Sequence, residues 1–431
     1  MAQQIVDAIQ LDEFYKGNGQ SKYSGWEATQ NLDVHSQFGT AQCQLALVSD
    51  STTPNEACVQ ATVADGTVYF FSTTSGKTWK RTTGGTVTLV NTNTNGAHIN
   101  AFYSSTLNKV LYATSTKLGH LVASTDTFTD SFATFTNGST YHPMEEVNQT
   151  VFIGDGKYAA SVSSALAFSA NALDIPAQHS MTAFINYQHY LAIGTIVGTN
   201  VNSCMLYIWD TYSSSWTYDD EILEAGVCTF IKSDNLTYLL CGNIGNIYYL
   251  SGNDATFFFQ IRGVTTSVGM QISTVLKRKP MLAIGTGIYS IYRASRNVND
   301  AVVHEYTGSA TITSIGVTGS QLLAHVGTGT MKIDVNYATA KITSPIMRRS
   351  GGNSVYVPYE SIPSGTSLGL ETNVNNAGWV SETSFIDNTT DMRYELTNGM
   401  TCSGNVIFYQ LRLTLNPLTT STPIIQGISL S

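Results

Sequence analysis

The sequence predicts an all-β protein, a seven-bladed β-propeller followed by a β-sandwich. Three observations lead there. The residue mix is that of strands and turns, a turn-bearing unit recurs seven times, and the recurrence stops near residue 350.

Of 431 residues only 12% are charged, while 42% are hydrophobic. That apolar content offsets chain entropy and excludes a disordered chain. Ser, Thr, Asn, Gly and Tyr take the place of the Glu, Lys and Arg that favour helices. The net charge of −9 argues against a nucleic-acid-binding surface. The basic clusters, Lys277-Arg278-Lys279 and Arg348-Arg349, read as loops between strands. No polybasic segment flanks an apolar stretch, so no membrane association is expected. The opening MAQQIVDAIQLDEFYKG lacks a basic, apolar leader pattern, because Asp7, Asp12 and Glu13 interrupt it. No run of about 20 apolar residues offers a membrane helix.

The repeat starts as a short β-run ending in a small residue, followed by a tight polar turn and a second β-run. It reads ATVADGTVYF at 61–70, VLYATSTKLGHLV at 110–122, VFIGDGKYAA at 151–160 and LAIGTIVGTNVNSCMLYIW at 191–209. It continues as YLLCGNIGNIYYL at 238–250, LAIGTGIYSIY at 282–292 and LAHVGTGTMKID at 323–334. Aligned on Ala64, Ala113, Gly154, Gly194, Gly242, Gly285 and Gly327, the units lie 40 to 49 residues apart. That is the period of a four-stranded blade. Glycine at the turn supplies positive φ without steric cost.

Unit five parses as strands 226–232, 236–242, 246–250 and 257–262; unit six as 269–276, 280–285, 288–293 and 301–306. Unit seven parses as 310–317, 320–326, 330–334 and 340–345. FSTTSGKTW (71–79) and IWDTYSSSW (208–216) both close a polar turn onto a Trp and are expected at equivalent third-to-fourth strand turns. The segment Ala41–Ser49 is the candidate for closing the ring, in the last blade or the first.

Three regions follow: an N-terminal arm at 1–39, the propeller at 40–349 and the sandwich at 350–431, with Ser350-Gly351-Gly352 as the boundary. The last region carries six strand-like runs: SVYVPYE, TSLGLETNV, WVSETSFI, MRYELT, NVIFYQLRLTLN and PIIQGISL.

Chemistry is sparse. Cys43, Cys58, Cys204, Cys228, Cys241 and Cys402 show no CxxC spacing and lie mostly in apolar runs, so they read as free thiols. FSTTSGKTW resembles the Asp-box hairpin of sialidase-type propellers through Ser72, Gly76, Thr78 and Trp79, with Thr74 where Asp belongs. That hairpin is structural, and the arginines and Tyr–Glu pair of a sialidase are not evident. Glu145-Glu146 and Asp219-Asp220-Glu221 are the candidate paired carboxylates for glycosidase work, in loop-like settings typical of solvated turns. The eight histidines show no HxH or HExxH spacing, and no P-loop or DxDxDG calcium loop occurs. No catalytic, cofactor-binding or metal-ligating residue and no cofactor is assigned. The 23 tyrosines read mostly as core, with exposed aromatics able to stack on sugar rings.

NLDVHSQFGTAQCQLAL at 31–47 resembles the opening of tailed-bacteriophage virion proteins. TVYFFSTTSGKTWKRT, YHPMEEVNQTVFIGDGKYAA and LYIWDTYSSSW resemble their propeller blades. SIPSGTSLGLETNVNNAGW and YQLRLTLNPLTTSTPIIQGISL resemble the sandwich that follows. The resemblance spans most of the chain and carries over no functional residue. It implies a non-enzymatic structural component of a virion, made in the host cytoplasm. Such a component sits on the tail or the capsid exterior, with copies of itself and other virion proteins as partners and host surface glycan as a further ligand. The alternatives are a glycan-binding adhesin or a sialidase-like propeller glycosidase.

Overall fold

The structure is a computed structural model. It describes residues 28–34, 40–198, 202–232, 236–261, 263–268, 272–276, 279–292, 301–344, 347–349, 354–385, 393–395, 407–426 and 429–430. Residues 1–27, Lys277, Arg278, Cys402 and the 350–352 boundary therefore lie outside the described residues. No helix occurs among the described residues, and the strands form mostly four-stranded antiparallel sheets, as in a β-propeller. By internal contacts the chain groups into one unit of 49–286 with 308–332, and another of 1–48, 287–307 and 333–431.

Seven sheets are built from hairpins laid down mostly in chain order; the first unit holds their strands except Gly287–Thr307 and residues 45–48 and 333–337, which group with the other unit. The first sheet runs Cys58–Thr62, Val68–Ser72, Lys77–Arg81, Val87–Thr92; the second His98–Ser104, Lys109–Thr114, Lys117–Val122, Thr127–Thr134. The third runs Met144–Val147, Thr150–Asp155, Tyr158–Val162, Phe168–Asp174; the fourth His179–Tyr187, Tyr190–Val197, Cys204–Trp209, Tyr218–Ile222. The fifth runs Val227–Lys232, Thr237–Cys241, Asn246–Ser251, Asp254–Gln260; the sixth Ser273–Leu276, Lys279–Ile284, Gly287–Tyr292, Ala301–Thr307. The seventh begins Ile312–Thr318, Gln321–Val326, Gly329–Tyr337 and takes Leu45–Ser51 as its fourth strand.

Each inner strand lies beside the inner strand of the following sheet, and Ile312–Thr318 lies beside Cys58–Thr62, so the series returns to its start. Short side chains tie these neighbours. Thr182 Oγ1 donates to the Val227 carbonyl at 2.7 Å, Ser273 Oγ to Phe230 at 2.7 Å and Ser314 Oγ to Cys58 at 3.1 Å. Between successive sheets lie separate apolar clusters, such as Tyr69, Phe71, Val110 and Tyr112 between the first and second. Both sheet faces are thus buried, which explains the imperfect alternation in the strands.

Glycine works in two ways along the repeat. Gly242, Gly285 and Gly327 take φ of 72°, 59° and 59°, as the turn argument requires. Gly154 and Gly194 do not have positive φ. There a Cβ would stand 2.8 Å from the Pro143 ring and 2.5 Å from Val227, so glycine serves close packing.

Three expectations need correction. Unit seven does not end in a strand at 340–345: Leu45–Ser51 occupies that edge, and Ala340–Thr343 pairs instead with Ile407–Asn416 and Ala28–Gln30. The closing segment is therefore Leu45–Ser51 rather than Ala41–Ser49, since Ala41–Cys43 pairs with Leu32–Asp33 and Ile424–Ile425. The first repeat unit lies one hairpin out of phase with the rest, because Ala64 follows an inner strand while Ala113 lies in a second strand. That shift makes its 49-residue step the longest.

The closing strand is locked by charge. Asp50 accepts from Arg81 Nε at 2.6 Å and Nη2 at 3.0 Å, and pairs with Lys332 Nζ at 3.0 Å. The Arg81 and Asp50 side chains are 4% and 2% exposed. Burial pushes the Asp50 carboxyl up, but the two cations outweigh it and hold the group below its usual value.

The other unit contains a six-stranded sheet whose main path is Ala28–Gln30, Ala340–Thr343, Ile407–Asn416, Ser367–Val374, Trp379–Phe385; Met347–Arg349 also pairs with Ile407–Asn416. A four-stranded sheet joins Leu32–Asp33, Ala41–Cys43, Ile424–Ile425 and Tyr359–Ser361. Arg393–Glu395, Ser354–Tyr356 and Ser429–Leu430 make a third sheet. Ala28–Gln30 and Leu32–Asp33 are thus strands in these sheets. The sheets also draw in residues 340–349, ahead of the boundary expected at 350. The ten-residue strand Ile407–Asn416 offers ladder partners on both edges, and an unpaired edge is unfavourable. Arg412 makes two bonds to Glu371, at 2.6 and 2.7 Å, and stacks 4.3 Å above Trp379.

Candidate functional site

The inner strands of the seven sheets converge on a cavity of about 460 Å³. Their lining residues come in short runs: 60–62, 99–103, 142–145, 182–185, 228–230, 273–275 and 315–317. The lining mixes amide, hydroxyl and apolar groups, and among the described lining residues Glu145 is the single carboxylate. His142 is committed to the frame. Its Nδ1 lies 2.7 Å from the Gly154 carbonyl, its Nε2 lies 3.2 Å from that of Ser115, and its ring stacks on Phe135. Burial lowers its pKa. Gln60 donates to the Leu323 carbonyl at 3.2 Å, and Gly316 leaves room for its amide.

The paired carboxylates occupy strands, not the loops expected. On Met144–Val147 consecutive side chains alternate, so Glu145 lines the cavity while Glu146 accepts from Ser104 Oγ at 2.8 Å and from Thr106 Oγ1. On Tyr218–Ile222 the same alternation separates Asp220 from Asp219 and Glu221. Asp220 accepts the Ala255 amide at 2.8 Å, and Asp219 accepts Trp216 Nε1 at 3.2 Å. This outermost strand of the fourth sheet contributes nothing to the cavity lining.

The Asp-box-like turn is a carboxylate-centred hairpin after all, with the carboxylate from elsewhere. Glu56 accepts from Ser72 Oγ at 2.6 Å, Thr74 Oγ1 at 3.2 Å, Ser75 Oγ at 2.5 Å and Lys77 Nζ at 2.6 Å. Desolvation opposes its charge, but these donors hold its carboxyl down at about 2. Gly76 is required, because a Cβ there would stand 1.9 Å from the Asn93 carbonyl oxygen. Thr78 and Trp79 are buried. The turn joins the second and third strands of its sheet, whereas IWDTYSSSW joins the third and fourth strands of the fourth sheet. The two are therefore not equivalent. They share a mechanism: Asp210 accepts from the Tyr212 and Ser213 amides at 2.9 and 2.8 Å.

The tyrosines are not mostly core: fewer than half of those whose burial is described are buried. Tyr69, Tyr112 and Tyr238 are buried, with Tyr69 and Tyr112 giving their hydroxyls to Asp126 and Asp130 at 2.6 Å. Tyr212, Tyr218 and Tyr190 are exposed. Cys43, Cys58, Cys204, Cys228 and Cys241 are buried. Burial pushes the Cys43 thiol up to about 11 and those of Cys204 and Cys228 to about 12. Among the described residues no three His, Cys, Asp or Glu side chains are grouped to hold a metal ion. Sequence reasoning missed the Asp50–Arg81–Lys332 lock and the role of Glu56, since no spacing rule links residues so far apart in the chain.

No protein family and no curated protein matches the sequence. Solved structures do match in shape. A streptogramin B lyase matches with a TM-score of 0.52 at 12% identity, over 68% of this chain and 98% of that one. Catalytically inactive virginiamycin B lyase from Staphylococcus aureus with quinupristin matches at 0.51 and 14%, over 67% and 98%. The extracellular domain of a hybrid two-component system from B. thetaiotaomicron matches at 0.54 and 10%, over 94% and 61%. At such identities the likeness concerns the fold alone, and it supports a β-propeller.

Proposed function

We propose that the protein is a non-enzymatic structural component of a tailed-phage particle, a seven-bladed propeller with a C-terminal β-sandwich that acts by association. The observation that carries the non-enzymatic part is the dispersal of its carboxylates. Glycoside hydrolysis needs two carboxyl groups flanking one bond. Among the described lining residues Glu145 has no second carboxylate beside it on the cavity, and Asp219, Asp220 and Glu221 stand on an outer strand with alternating directions. His142 is held by backbone carbonyls. The particle reading rests on the resemblance of the opening, blade and C-terminal segments. Its partners are copies of itself and other virion proteins, and exposed tyrosines such as Tyr212 offer a face for host glycan.

The test has two arms. Mass spectrometry of purified phage particles is expected to find this chain at a fixed stoichiometry; its absence from the particles refutes the reading. The purified protein is expected to leave bacterial polysaccharides and sialosides uncleaved. Cleavage lost in an Asp219→Asn, Asp220→Asn or Glu221→Gln variant would establish an enzyme instead.

A further inference from the structure

The outer seam between the fourth and fifth sheets is unusual in charge and in exposed apolar surface. From Lys157 to Arg262 the only intervening cation is Lys232, while the carboxylates Asp174, Asp210, Asp219, Asp220, Glu221, Glu224, Asp234 and Asp254 fall in the same stretch. Asp219, Asp220, Glu221 and Asp254 form no ion pair with any described residue.

Strand register shows what faces the seam. Tyr218, Asp220 and Ile222 lie opposite Ile208, Leu206 and Cys204, which belong to the core shared with the fifth sheet. Ala255 and Phe257 lie opposite Leu250 and Tyr248 of that same core. Tyr218 and Phe257 therefore point into one seam from its two sides, and they remain 46% and 47% exposed. Phe257 meets Tyr248 edge-on at 5.5 Å, and Asp220 ties the two outer strands through the Ala255 amide. Leu223, just past the strand end, is 76% exposed. Asp219 and Glu221 stand on the opposite face of Tyr218–Ile222, whose outer edge has no strand partner among the described residues.

We infer that this edge receives an extended segment of a partner protein in which basic and apolar residues alternate. A strand added to Tyr218–Ile222 presents successive side chains to opposite faces. Apolar ones then join Tyr218 and Phe257 in the seam, and Lys or Arg side chains meet Asp219 and Glu221. The charge excludes nucleic acid and anionic membrane as occupants, since both would be repelled. Self-pairing of the same patch would set carboxylate against carboxylate. Apolar surface of this kind at a sheet edge marks interaction sites and is otherwise a liability. The inference stands on the seam itself and does not depend on the particle reading.

The test uses fluorescein-labelled peptides of about eight residues, a common strand length. One alternates lysine and leucine, one holds the same residues in paired blocks, and one alternates glutamate and leucine. The full chain is expected to bind the alternating lysine peptide saturably, weakening as salt rises. The block isomer and the glutamate peptide should bind at least about tenfold more weakly. Tyr218→Ser with Phe257→Ser should weaken binding about tenfold through lost apolar contact, and Asp219→Asn with Glu221→Gln through lost charge. These positions are partly or fully exposed, and an unchanged melting temperature would show that the variants fold. Equal binding of the block isomer, unchanged affinity in either folded double variant, or no saturable binding would overturn the inference.

Discussion

Replacing Asp50 by Asn should destabilise the protein far more than a typical exposed carboxylate would. Asp50 sits on Leu45–Ser51, holding Arg81 of the first sheet with two bonds and Lys332 of the seventh. Exposed ion pairs are worth about 0–1 kcal/mol. Here the Arg81 and Asp50 side chains are nearly inaccessible, so removing the carboxylate strands a guanidinium out of water. Breaking such a pair costs about 3–5 kcal/mol. At about 2–4 °C per kcal/mol for a domain of this size, the melting temperature should fall by roughly 6–20 °C. Scanning calorimetry of wild type and Asp50→Asn reads this directly. Asp50→Leu combined with Arg81→Met should recover most of the loss, because no buried charge at that pair is then left alone. A fall under about 2 °C in Asp50→Asn would refute the view that this pair locks the closing strand.

Three further outcomes follow from the same geometry. Gly76→Ala should destabilise by several kcal/mol, roughly as for a strained core site, because its Cβ would collide with the Asn93 carbonyl; an unchanged urea midpoint would contradict this. His98 and His325 are buried, and burial pushes both imidazoles down to about 4. The unfolded state then binds protons first, so their contribution is complete above about pH 6.5 and is lost as pH falls toward 4. The two together should steepen stability by up to about 2.7 kcal/mol per pH unit near pH 5, and a urea series in which His325→Gln leaves that slope unchanged would count against it. Native protein should resist thiol reagents, since the five described cysteines are buried, while denatured, non-reduced protein should release all six thiols; four or fewer would reveal disulfides.

Much of the fold was legible because local chemistry announced it. Gly242, Gly285 and Gly327 take positive φ at turns where the repeat places them, and the strands of the fifth sheet fall close to where their apolar runs lie. What escaped is non-local. The closing candidate Ala41–Ser49 overlaps LALVSDS, but nothing in it chooses the last sheet over the first, and nothing in AKIT says that it pairs with a strand at 407–416. Pairing partners far apart in sequence are chosen by the edges left open, which only the folded chain defines. Glu56 illustrates the same limit at a site. The Asp-box comparison looked for a carboxylate at position 74, but the turn takes one from the preceding loop. The acidic residues misled in the other direction, since adjacency in sequence suggested a pair that strand alternation splits.

The most direct test of the proposed function is an electron cryo-microscopy reconstruction of tailed phage particles from a host that produces this chain. The account predicts several symmetry-related copies of a ring of seven four-stranded sheets on the tail or the capsid exterior, each joined to neighbours by protein contacts. A ring with a different number of sheets, or particles with no density for the chain, would contradict it.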